Sequence, residues 1–134
     1  MLVAFLTNDL VFPSRVAGIA RQLGARMEIA ATADALLAKL ITESPQAGVV
    51  LLDLNSPGVE PSGLLPRLKA LATPPQTIIA FGPHVHQQKL AAAQTAGCNV
   101  VLTRGQFDAQ MQSLLTHILR PSEIPRPTEM KSEG

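Results

Sequence analysis

The stretch "VVLLDLNSPG", Val49 to Gly58, decides how the rest of the chain is read. Val49–Leu52 form an apolar run, Asp53 interrupts it, and Asn55, Pro57 and Gly58 follow at once as turn formers. Such a run, bounded by turn residues, predicts a buried strand over "VVLLDL" that emerges into a loop. Asp53 therefore stands where a strand leaves the core and meets solvent. That position suits a reactive carboxylate, provided that other strands deliver suitable groups beside it.

Outward from this strand, apolar runs alternate with helical patterns. "LVAFLT" (Leu2–Thr7) predicts a first strand, and "PSRVAGIARQLG" (Pro13–Gly24) a helix with Val16, Ile19 and Leu23 on one face. "RMEIAA" (Arg26–Ala31) is a weaker strand. "TADALLAKLITE" (Thr32–Glu43) is a helix capped by Thr32, with Leu36, Leu37, Leu40 and Ile41 on one side. After the central strand, "LLPRLKALA" (Leu64–Ala72) predicts a short helix with Pro66 in its first turn. "TIIAF" (Thr77–Phe81), the helix "HQQKLAAAQTAG", "CNVVLT" and the helix "GQFDAQMQSLLTHILR" complete the series. Strands that read as unbroken apolar runs belong to a parallel sheet covered on both faces. The expectation is a three-layer α/β sandwich with a five-stranded parallel sheet in the flavodoxin-like order 2-1-3-4-5. Residues 1–120 form one domain in this reading. Residues 121–134, with Pro121, Pro125 and Pro127 and balanced charges, are expected to be a disordered proline-rich tail.

Composition narrows the classes of function. The chain has 134 residues, 46% hydrophobic and 16% charged, with four Phe, no Trp and no Tyr, so an aliphatic core carries the packing. A net charge of +1 gives no electrostatic motive for binding nucleic acid or membrane. Cys98 is the single cysteine and excludes an intrachain disulfide. No apolar stretch approaches the roughly 20 residues of a membrane span. A cytoplasmic protein is expected. Phosphate-binding glycine fingerprints and a hydrolase elbow are absent.

In a parallel sheet of this order, ligands sit beyond the carboxyl ends of the strands. Strands one, three, four and five bring Asn8–Asp9, Asp53, Gly82 and Arg104 to that edge. Together with the five βα units, the "D-x-N-x-P-G" pattern after strand three, "AAAQTAG" closing helix four and a basic residue ending strand five, the chain resembles the CheY-like receiver domain of two-component response regulators. The resemblance runs from Met1 to about Arg120. It implies that Asp53 occupies the phosphoacceptor position, Asn55 the metal-contacting position and Pro57 that of the loop proline. Thr7 and Asn8 fall on the usual acidic pair, with Asp9 one residue late. Gly82 falls on the usual hydroxyl residue and Arg104 on the usual lysine, followed by Gly105 in place of proline. The aromatic residue that often switches on strand five is also missing from the stretch with Val100 and Leu102.

These departures point to a degenerate, or pseudo-, receiver that signals by protein–protein contact without being phosphorylated. Phosphoryl transfer relies on neutralising charge spread over the equatorial oxygens. Mg²⁺ wants octahedral oxygen ligands, usually with a carboxylate or two. The pocket is expected to comprise Asn8, Asp9, Asn55, Gly82 and Arg104 around Asp53, with no catalytic residue and no cofactor. Arg104 is a candidate to hold Asp53 in a salt bridge. The alternative is a phosphorylatable single-domain regulator, for which Mg²⁺ is required and Asp9 and Asp53 are the only candidate ligands. A third reading is a small-anion or nucleotide binder at the same edge, using Gly82, His84, His86 and Arg104. "GPHVH" also suggests a metal shared by His84, His86 and Asp53, against the plainer reading of solvated loop histidines. His117 has no catalytic role in any of these readings. The expected partner is another protein or a second copy, through helix four, strand five and helix five.

Overall fold

The computed structural model describes residues 2–42 and 47–119. Strands β1 (Leu2–Leu6), β2 (Arg26–Ala30), β3 (Ala47–Asp53), β4 (Thr77–Gly82) and β5 (Val100–Thr103) alternate with helices α1 (Phe12–Gln22), α2 (Ala33–Thr42), α3 (Pro61–Lys69), α4 (Gln87–Ala96) and α5 (Arg104–Leu119). The sheet is wholly parallel in the order β2-β1-β3-β4-β5. This is the flavodoxin-like α/β fold that the pattern of runs predicts. The proposed tail, 121–134, lies outside the described residues.

The strand sequences explain why both faces are covered. Side chains alternate between faces along a strand. In β1, Leu2, Ala4 and Leu6 join one core cluster, and Val3 and Phe5 join the other. β3 divides likewise, with Val50 and Leu52 on one face and Val49 and Leu51 on the other. Leucines of α2 and α3 (Leu36, Leu37, Leu40, Leu64, Leu65 and Leu68) and Ala93 of α4 fill the first core. α1 and α5 fill the second with Phe12, Val16, Ile19, Phe107, Met111 and Leu115. No described helix is long and apolar enough to cross a membrane.

Two local expectations are corrected. α3 starts at Pro61, three residues before the expected Leu64, and Pro66 lies inside it. Pro61 has no N–H to leave unpaired in a first turn, and the Glu60 carbonyl accepts from Gly63 N (3.1 Å) and Leu64 N (2.9 Å). Pro66 forgoes one helical bond, and burial of Leu64, Leu65 and Leu68 outweighs that loss. Ile41 shares the helical phase of the buried leucines of α2 but is 63% exposed. It sits in the last turn, where the helix ends and the layer beneath it no longer covers it.

The register places the candidate site. Leu6 pairs with Leu52, Asp53 with Phe81, and Gly82 with Thr103, so the carboxyl ends of four strands align along one edge. Strand order reverses between β1 and β3, and Thr7 and Asp53 face each other across that point. Gly97 closes α4 at φ 106°, a left-handed conformation that glycine adopts without strain.

Candidate functional site

Asp53, the last residue of β3, is only 3% exposed. Its Oδ2 accepts the Thr7 hydroxyl at 2.7 Å, and its Oδ1 accepts Asn55 N–H at 3.0 Å. Both donors are neutral, and among the described residues no cation pairs with this carboxylate. Thr7, itself 3% exposed, is the residue that follows β1. It offers Asp53 a hydroxyl donor at a point where a second carboxylate would repel it.

Asp9 is committed elsewhere. Its carboxylate accepts Leu10 N–H (2.9 Å), Val11 N–H (3.4 Å) and Phe12 N–H (3.2 Å), the free donors at the start of α1. Arg104 Nη2 donates to Asp9 Oδ2 at 3.2 Å. Burial pushes the Asp9 carboxyl up, but the N–H groups of Phe12 and Val11 and the Arg104 guanidinium outweigh it and hold the group below its ordinary value. A carboxyl lowered in the folded state stabilises the fold above its unfolded pKa, and that contribution is lost as pH falls through the folded value. Asp9→Ala is thus expected to cost about 1–2 kcal/mol at neutral pH. Denaturant titrations should show the gap between variant and wild type shrinking as pH falls through the lowered value of the Asp9 carboxyl.

The candidate salt bridge from Arg104 to Asp53 is replaced by this pair with Asp9. The guanidinium lies 4.4 Å from the Phe12 ring centroid, so an aromatic face and a carboxylate together direct it towards α1. Phe12 in turn packs on Phe81 and Phe107, whose rings stack at 4.3 Å and 7°. All four phenylalanines of the chain join this one cluster beneath the cleft.

Asn8, Asp9, Asp53, Asn55, Ser56, Pro57 and Arg104 line an open cleft of about 450 Å³. Four of the five expected pocket residues therefore surround Asp53. Gly82 is the exception. It is buried, and a Cβ built there would lie 3.1 Å from Leu54 Cβ. A side chain on β4 here would press on the fully buried Leu54, which would have to give way by a few tenths of an ångström. Ser56 is the lining residue that sequence reasoning missed. It is 3% exposed, and its hydroxyl accepts Asn8 N–H at 3.0 Å, tying the two loops together. The only sequence signal for it was its place inside the D-x-N-x-P-G loop.

The histidine metal candidate is corrected. Among the described residues no three His, Cys, Asp or Glu side chains converge on a metal-sized site. His84 is exposed, and His86 precedes α4 with its backbone in the cap position. Neither lines the cleft. Cys98 is half-buried, and burial pushes its thiol up to about 11, against a smaller opposing effect of Lys69. Alkylation at pH 7 is expected to be slower in the folded than in the unfolded chain by a factor on the order of 10². Timed iodoacetamide labelling with and without denaturant measures this ratio.

No protein-family model and no curated protein matches the sequence. Solved structures do match. A receiver domain from Bermanella marisrubri is 18% identical, with a TM-score of 0.73 over 89% of this chain and 98% of that one. The receiver domain of NtrX from Brucella abortus is 20% identical, with a TM-score of 0.69 over 92% and 100%. The receiver domain of the sensor histidine kinase PA1611 from Pseudomonas aeruginosa PAO1, solved with magnesium in its active-site cleft, is 18% identical, with a TM-score of 0.69 over 88% and 96%. The chain has the CheY-like receiver fold. Within that receiver fold, the cleft lies where the strand order reverses, and its lining comes from the loops after β1 and β3 and the junction of β5 with α5.

Proposed function

We propose that this receiver-like domain works in a cytoplasmic signalling pathway by contacting a protein, with Asp53 unmodified and no chemistry of its own. One observation carries the reading. Among the described residues the cleft has two carboxylates, and one of them, Asp9, is already paired with Arg104 and the start of α1. The donor set does not suit Mg²⁺, since Asp53 alone remains and a threonine hydroxyl is bonded to it. Arg104, the one cation lining the cleft among the described residues, is turned towards Asp9, and Gly82 offers no hydroxyl from β4, where a side chain would press on Leu54.

The contact surface in this proposal is the α1–β2 side. Leu10 (90%), Val11 (61%) and Ile29 (45%) are exposed there. Leu10 and Ile29 border a shallow apolar groove with Pro13, Ala17 and Met27. The surface expected from the sequence, helix four, strand five and helix five, has of the described exposed large apolar side chains only Val85 beside it, in the turn before α4. α1 bears no acid; its Arg15 pairs with Asp108, and Arg21, one turn beyond Ala17 of the groove, is exposed, so an apolar segment with an acidic flank complements this side better than a second copy does.

A second reading, a phosphorylatable single-domain regulator, is favoured by one fact: Asp9, Asp53 and Arg104 line the same cleft. Incubation with acetyl phosphate and Mg²⁺, followed by intact mass measurement, separates the two. No mass gain is expected. A stoichiometric phosphoryl adduct that disappears in Asp53→Ala would establish the second reading and reject the first. The anion-binding reading loses its motive, because of Gly82, His84, His86 and Arg104 only Arg104 lines the cleft.

A further inference from the structure

Thr7 does more than hold Asp53. Its hydroxyl donates to Asp53 Oδ2 at 2.7 Å and accepts Asp9 N–H at 2.9 Å. Asp9 then carries the connection onward, since its carboxylate gathers the N–H groups of Leu10, Val11 and Phe12. Leu10 and Val11 are the most exposed pair of adjacent large apolar residues described, at 90% and 61%. A second tie runs beside the first: the Ser56 hydroxyl, from the loop after Asp53, accepts Asn8 N–H. The segment Asn8–Val11 is thus fastened at its near end to the Asp53 loop and displays apolar side chains at its far end. On the opposite side Gly82 brings no polar side chain, and Leu54 seals the gap. A buried hydroxyl with one donor and one acceptor bond has both functions used. A change at Asp53 Oδ2 therefore acts on the same hydroxyl that accepts Asp9 N–H.

We propose that Thr7 is a positioning residue that relays the placement of the unmodified Asp53 carboxylate to the exposed Leu10–Val11 pair, so that the geometry of the cleft sets the contact surface on the α1 side. Calling that pair an output rests on the contact function proposed above. The relay itself does not: phosphoryl uptake from acetyl phosphate would reject that function and leave the following test intact.

The test uses amide resonances of the full chain. Asp53→Asn and Asp53→Ala are each made on the wild-type chain, on Thr7→Ser and on Thr7→Val. Comparing two uncharged residues at position 53 avoids leaving a buried carboxylate without its donor. Between Asn and Ala at position 53, the Leu10, Val11 and Phe12 amides are expected to shift more than those of Val100–Thr103. Thr7→Ser should preserve this difference and Thr7→Val should abolish it. A purely structural threonine would move the same amides in every background. Three results overturn the proposal: no difference at Leu10–Phe12 on the wild-type chain, a difference that survives Thr7→Val, or its loss in Thr7→Ser. If Thr7→Val does not fold even without the charge, the wild-type and Thr7→Ser comparisons still decide against the relay whenever Leu10–Phe12 stay unmoved.

Discussion

Replacing Phe107 by alanine is expected to remove about 3–5 kcal/mol of stability, the range for truncating a buried aromatic side chain. For a domain of this size that is a fall in melting temperature of roughly 10–20 °C. Phe107 is fully buried. Its ring stacks on Phe81 at 4.3 Å and meets Phe12 edge-on at 5.6 Å and 66°. Truncation removes the transfer energy of the ring, opens a cavity between α5 and β4, and breaks two aromatic pairs worth about 0.5–1.5 kcal/mol each beyond burial. The cavity cannot collapse easily, because Met111 and Leu115 fix α5 one and two turns further on. Phe107→Leu keeps most of the volume and is expected to cost less than about 1.5–2 kcal/mol. Denaturant or thermal unfolding monitored by circular dichroism gives both numbers. A loss below about 1 kcal/mol for the alanine variant would mean that α5 does not pack as described.

The second large effect is expected at Thr7. Thr7→Val keeps the shape and removes the hydroxyl, so the Asp53 carboxylate loses a donor and Asp9 N–H loses its acceptor. Hydrogen bonds to charged groups contribute about 1.5–3 kcal/mol, and a buried partner left unsatisfied adds its desolvation. The expected cost is about 2–3 kcal/mol at pH 7. Burial decides the size, because at 3% exposure water cannot replace the lost donor. In an Asp53→Asn background the same substitution should cost only about 1 kcal/mol, since the charge has gone. A double-mutant cycle in denaturant measures the difference. Additive costs would show that Thr7 and Asp53 do not interact in solution.

The fold was legible because its signal is long and repeated. Five apolar runs with helical patterns between them leave few arrangements for a chain that must cover both faces of its sheet. Hydrophobic period located α1, α2, α4 and α5 to within a few residues. It misplaced the start of α3, where Pro61 and Pro66 are both acceptable in a first turn and only burial of Leu64, Leu65 and Leu68 chooses between them. The candidate site was legible as a set of positions, since each of Asn8, Asp9, Asp53, Asn55 and Arg104 lies at a strand end and the strand ends share an edge. Their pairing was not. Whether Arg104 meets Asp53 or Asp9 depends on the Phe12 ring beneath it, about ninety residues away in sequence.

By itself, the sequence determined the layers, the strand order and the edge on which polar residues gather, because alternation and period act within a few residues and repeat along the chain. It also put Thr7, Asn8 and Asp9 after the first strand and Asp53 at the end of the third, so that few carboxylates reach that edge. Only the tertiary structure decided which donor each carboxylate takes: Thr7 for Asp53, and Arg104 with the first turn of α1 for Asp9. Such choices turn on ångström distances and on what is buried, and both arise only when segments remote in the chain are packed together.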